Sequence, residues 1–144
     1  MPNKRNPNHG DREARRRKAC ERLSLENPSC ILCDVRCPIL LELHHVAQLA
    51  FHPEMIPLCL NHHRLLSDMQ KDHPPKIPDC INQLETFGHF HLGLGDMLEV
   101  AADELRDPGL ANFLTYLRVR YQEHGLLLIE IARRFPALDL EVAP

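Results

Sequence analysis

Two short spacings, Cys30-x2-Cys33 and Cys59-x2-His62, constrain this chain more than any other feature of it. Each pair presents two ligands from a single turn, and together they supply the four that a tetrahedral metal site needs. Thiolate and imidazole in that mixture suit zinc, and closing a short segment on zinc contributes folding energy directly. The opening MPNKRNPNHG lacks the apolar stretch of a signal peptide, and no apolar run approaches the roughly 18 residues of a membrane span. Cytoplasmic residence is therefore the expectation. In a reducing compartment, six cysteines and ten histidines point to metal rather than disulfides. Cys37 is a rival ligand, whereas Cys20 and Cys80 read as small buried or surface thiols.

Charge is unevenly spread. Residues 1 to 76 carry 12 Lys+Arg against 9 Asp+Glu, and residues 77 to 144 carry 5 against 11, so the front is basic and the back acidic. Much of the positive charge lies between Lys4 and Arg22, a density suited to neutralising phosphates. REARRRKACERL reads as a helix that ends before Asn27-Pro28. CILC reads as a tight turn, PILLELHHV as a strand, and the stretch after Asn61 as a helix that stops at Pro74-Pro75. HPPKIP then forms a stiff linker. From about residue 79 the apolar spacing is helical, with a break at Asp107-Pro108-Gly109. The expected organisation is α+β: a basic N-terminal arm over 1–28, a metal-bearing core over 29–76 and a helical extension over 77–144.

Two histidine pairs stand out. If a helix begins near Asn61, His62 and His63 point about 100° apart and cannot serve one centre. One turns to the knuckle metal. The other faces a different neighbour, for which His44-His45 on the preceding strand is the obvious partner. Strand alternation by itself would put His44 and His45 on opposite faces. His52, His73, His89, His91 and His124 are isolated and are assigned surface or loop roles.

The order CILC, LELHHV, PLCLNHH resembles the core of the HNH endonuclease family, over about residues 29 to 73. The resemblance implies a ββα-metal fold in which zinc knuckles brace a hairpin and a helix around one catalytic metal. It implies that His44 and His63 hold a divalent cation (Mg2+, Mn2+ or Ni2+), that His45 is the general base, and that Cys30, Cys33, Cys59 and His62 hold a structural zinc. His62 stands where the family usually has cysteine, and Ser67 where some members have another histidine. Glu54 falls where the motif's central asparagine is expected. There it would accept the Nδ1 proton of His45 and fix its tautomer.

The function implied by this resemblance is metal-dependent hydrolysis of DNA phosphodiester bonds, with Arg15, Arg16, Arg17, Lys18 and Arg64 as candidate phosphate contacts. The alternative is a zinc-braced module that binds DNA or a protein without cutting. Such a module needs the zinc ligands but neither His45 nor His63. The apolar faces of the helical extension suit a homodimer or a docked protein partner.

Overall fold

Helix α1 (Asn8–Leu23) opens the structure, a computed structural model that describes residues 8–75 and 82–136. Its charged residues Arg12, Arg15, Arg16, Arg17 and Lys18 are exposed, while Ala19 and Leu23 are buried. The helix ends in a left-handed residue, Ser24 (φ 53°). Ser24 N–H donates to Glu21 O (3.1 Å) and Leu25 N–H to Cys20 O (3.3 Å), a Schellman stop that satisfies the last carbonyls. Arg22 reaches across to donate to Leu41 O at 2.7 Å.

The expected strand PILLELHHV is shorter than its apolar run. Pro38 opens a 3-10 turn, Pro38–Leu40, closed by Leu40 N–H donating to Cys37 O at 2.9 Å. A fixed φ and a missing donor suit proline to the start of such a turn rather than to a sheet ladder. Strand β1 (Leu41–His45) then pairs antiparallel with β2 (Met55–Cys59), from Leu41 opposite Cys59 to His45 opposite Met55. Helix α2 (Leu60–Met69) follows with no linker, Cys59 being both the last strand residue and the helix N-cap. A second 3-10 turn, Gln70–Asp72, tightens its exit before Pro74 and Pro75.

Helices α3 (Gln83–Glu104) and α4 (Pro108–Arg134) form an antiparallel hairpin. Asn82 caps α3 by accepting from Glu85 N–H (2.9 Å), and Asp107 caps α4 by accepting from Leu110 N–H (2.7 Å), with Pro108 at the first helical position. The sequence Asp107-Pro108-Gly109 therefore starts a helix, and the interruption lies at residues 105–107. Gly88 and Gly125 let the two helices approach closely, for a Cβ on Gly88 would lie 2.8 Å from Gly125 O.

One core joins all three sequence segments. Leu23 of α1, Cys30, Leu41, Leu58, Cys59 and Leu66 of the middle, and Val100 of α3 form a single buried cluster, with Met97 against it. Leu41, Leu58 and Leu66 are fully buried, each contributing about 1.5–3 kcal/mol of hydrophobic stabilisation. The boundaries expected near residues 28 and 77 are thus crossed by packing. Part of the expected 73–78 linker, and Cys80, lie outside the described residues. Among the described residues no helix is long and apolar enough to cross a membrane.

Candidate metal centre and histidine cleft

The first knuckle is folded by its own backbone. Cys30 N–H donates to Val35 O (2.9 Å), curling CILC back on itself, and Ile31 N–H donates to Pro57 O (3.3 Å), tying the loop to β2. The second knuckle is the strand-to-helix corner: Cys59 ends β2 and His62 sits in the first turn of α2. As a result the ligand atoms of Cys30, Cys33, Cys59 and His62 all lie within 4.8 Å of one another, and the four form a group able to hold a metal ion.

The dimensions fit a tetrahedral zinc site. Bonds of about 2.3 Å to sulfur and about 2.0–2.1 Å to nitrogen give edges of about 3.8 Å between sulfurs and about 3.5 Å between sulfur and nitrogen. Here Cys33 Sγ lies 3.9 Å from Cys59 Sγ, and His62 Nδ1 lies 3.3 Å from Cys30 Sγ and 3.4 Å from Cys59 Sγ. Electrostatics agree. Burial opposes ionisation of Cys30, but the bond to His62 and backbone donors bring it down to about 7. Cys33, desolvated and beside two other thiols, is pushed up to about 11. Thiols this crowded ionise together only around a shared cation. Cys37 is exposed and outside the group, and Cys20 is half-buried.

His62 and His63 part company as helical geometry requires. His62 is buried toward the thiols, and its Nε2–H donates to Glu104 Oε1 at 2.6 Å. His63 instead turns its Nδ1 to Glu42 Oε2 (3.3 Å) and sets its ring edge-on to His44, with centroids 5.3 Å apart. Sequence reading missed both carboxylates. Glu42 had a signal, since it lies two residues before His44 on the same strand face. Glu104 had none.

His44, His45 and His63 line one open cleft of about 390 Å³, together with Gln48, Leu49, Ser67, Gln70 and Lys71. His45 joins His44 there because β1 ends at His45 and the chain turns at once. Gln48 N–H donates to His45 O (3.1 Å), with Gln48 in the left-handed region at φ 62°. Gln70, unforeseen from sequence, fastens this corner by donating to His45 O (2.8 Å) and Val46 O (3.0 Å). Its amide nitrogen also lies 3.2 Å from His44 Nε2, which must therefore accept. Two amide protons face three acceptors and the imidazole bond is the longest, so the His44 lone pair is the one most lightly held. Burial, then the neighbouring His63 and His45, lowers the His44 pKa to about 4, so its ring is neutral near pH 7.

Other expected site residues are placed as follows. Glu54 lies with His52, not with His45: its backbone N–H donates to His52 Nδ1 at 3.1 Å and its exposed carboxylate stands 3.9 Å from the same atom. The β1–β2 register explains this, because Met55 is the residue opposite His45. Arg64 is exposed and lines a shallow hollow beside His63. Arg15, Arg16, Arg17 and Lys18 are exposed along α1. Of the histidines assigned surface or loop roles, His73 does lie in the loop after α2 but with its side chain buried, and His89 lies in neither place. His73 pairs with Asp96 (2.9 Å) with both side chains buried, and His89 is buried in the α3 interior against Phe51. No family model, curated protein or solved structure matches the chain.

Proposed function

We propose that the chain is a metal-dependent endonuclease of the HNH type that hydrolyses DNA phosphodiester bonds. One observation carries this reading: His44, His45 and His63 converge on an open cleft next to a Cys3His group that is separately complete. A protein that used its metal only to fold would need the second group alone. Cys30, Cys33, Cys59 and His62 hold a structural zinc, which braces the corner from which α2 presents His63. His44 and His63 would hold a divalent cation (Mg2+, Mn2+ or Ni2+), which would supply charge stabilisation at the phosphate and the leaving 3′ oxygen. His45 takes the proton from the attacking water, a contribution typically worth about 10²–10⁴-fold. Gln70 holds the His45 backbone carbonyl, whereas the tautomer-fixing contact that the resemblance implied between Glu54 and His45 Nδ1 is replaced by one between Glu54 and His52. Arg64 and the exposed cations of α1 contact phosphates along the DNA.

The test pairs two measurements on wild type, His45→Ala, His62→Ala and His63→Ala. Nicking of supercoiled plasmid is followed with each cation, and zinc content with melting temperature is followed alongside. His45→Ala and His63→Ala should keep zinc and lose cleavage, whereas His62→Ala should lose zinc and stability. If all three cut as wild type does, the cleavage does not come from this site, and if wild type cuts with none of the cations the nuclease reading fails. A zinc-braced binding module then takes its place, a reading favoured by the Gln70 amide on His44 Nε2 and by Glu54 standing apart from His45.

We also propose that α4 pairs with α4 of a second copy. Tyr116, Arg120, Glu123 and Leu127 are exposed along one face, and their spacing is self-complementary under a two-fold axis. Within one copy Arg120 donates to Glu123 Oε2 (2.8 Å) and lies over the Tyr116 ring; antiparallel pairing would set this ion pair against its counterpart and Tyr116 against Leu127 of the other copy. Sedimentation over a hundredfold concentration range, with and without Tyr116→Glu, tests it. A wild type that stays monomeric throughout overturns it.

A further inference from the structure

Glu104 is the last residue of α3, where the partial negative charge of the helix end disfavours an anion. No basic residue in the last turn offsets it. Its carboxylate instead leaves the helix to accept from His62 Nε2–H at 2.6 Å, across 42 positions of sequence. The two nitrogens of one imidazole therefore face opposite kinds of partner. Nδ1 looks onto the thiols of Cys30 and Cys59, and Nε2–H looks onto the carboxylate. That bond fixes the tautomer, leaves the Nδ1 lone pair aimed at the centre of the Cys3His group, and makes the ring a better donor to a cation.

The same helix meets the metal group through packing. Val100, one turn before Glu104, shares a buried cluster with Cys30 and Cys59, and Met97 lies against it. Further back, the α3 backbone at Gly93 abuts the chain leaving β1, a Cβ there falling 1.9 Å from Val46 O. Helix α3 thus rests on both the knuckles and the strand end that carries His45.

We propose that Glu104 is the positioning residue of the zinc centre, and that zinc binding and the docking of α3 are coupled through the Glu104–His62 bond. This rests on the reading that Cys30, Cys33, Cys59 and His62 hold zinc. Coupling of this kind is reciprocal: whatever factor the docked helix adds to zinc affinity, zinc adds to the docking equilibrium.

The experiment uses the full chain loaded with zinc and titrated with a chromophoric chelator. Glu104→Ala should weaken zinc binding about 10- to 100-fold. Glu104→Gln, whose amide oxygen still accepts from His62, should recover part of the loss, and Asp103→Ala, in the same helical turn, should bind zinc like wild type. Hydrogen exchange supplies the reciprocal measurement: amides of residues 97–104 should lose protection when zinc is removed, and should be less protected in zinc-loaded Glu104→Ala. A Glu104→Ala variant that binds zinc within twofold of wild type overturns the positioning role. Protection of α3 that is indifferent to zinc overturns the coupling. A wild type that takes up no zinc overturns the reading of the four ligands themselves.

Discussion

Acid should loosen this fold through His89, and by a calculable amount. The side chain is 0% exposed, its ring stacks on Phe51 with centroids 3.5 Å apart, and neither nitrogen has a hydrogen-bond partner among the described residues. Burial first, then the neighbouring His73 and Arg133, lowers its pKa from 6.5 to about 4. A base with a depressed folded pKa is protonated first in the unfolded chain. Stability is therefore complete above about pH 6.5, falls as pH drops through the window from 6.5 to 4, and levels off below it. At 1.36 kcal/mol per pH unit, the loss at pH 5 is about 2 kcal/mol. The measurement is urea denaturation of the zinc-loaded protein at pH 7 and pH 5, beside His89→Leu, which keeps apolar packing and cannot take a proton. Other acid-sensitive groups, including the thiol ligands and His44, are common to both proteins and cancel in the comparison. Wild type should lose about 2 kcal/mol more than the variant between the two pH values. Equal losses would show that the buried ring is not the titrating element.

Gly93→Ala should lower the melting temperature, with a cost of about 1–3 kcal/mol, because its Cβ meets the Val46 carbonyl at 1.9 Å. The sign is diagnostic, since a helix interior otherwise gains about 1 kcal/mol from this change. Gln70→Ala should leave zinc content unchanged and slow plasmid nicking about 10- to 100-fold, by freeing the His45 carbonyl; unchanged nicking would remove Gln70 from the site. Replacing Arg16, Arg17 and Lys18 with glutamine should weaken DNA binding and flatten its salt dependence, by about 0.9 in log–log slope for every phosphate that is no longer neutralised. Fluorescence anisotropy in graded salt measures both, and an unchanged slope would take α1 off the DNA. Substitution is preferable to deleting the arm, because Ala19 and Leu23 are buried and Arg22 holds Leu41 O.

What could be read in advance was local. Cys30, Cys33, Cys59 and His62 announce themselves because two residues separate the members of each pair, and the divergence of His62 from His63 follows from helical rotation alone. Helix α1 followed from its stop signal, and the two helices of the extension from apolar period and a break between them, but not their pairing as a hairpin. The failures share a different cause. PILLELHHV looked like a strand throughout because Pro38 is apolar to the eye but cannot donate to a ladder. An isolated histidine such as His89 reads as a surface or loop residue, yet it, Glu85 and Asp96 on the same helix point inward, to Phe51, Arg133 and His73 respectively. Glu104 and Gln70 reach their histidines across 42 and 26 positions, and no spacing rule connects such pairs.

Cys59 closes the sheet, starts α2 and supplies a thiol, while His62 and His63 ride the first turn of that helix. The two histidines are therefore geared together. One residue inserted between Cys59 and His62 rotates both rings by about 100°, unseating the knuckle and the cleft in the same step. The chain between Val46 and Glu54 carries no such gearing, because a length change there leaves the β1–β2 register and the start of α2 where they are. A length change in the hairpin connection would thus disturb the Gln48 turn at His45 and the Phe51 stack on His89 but spare the knuckles, whereas the corner at Cys59 admits none.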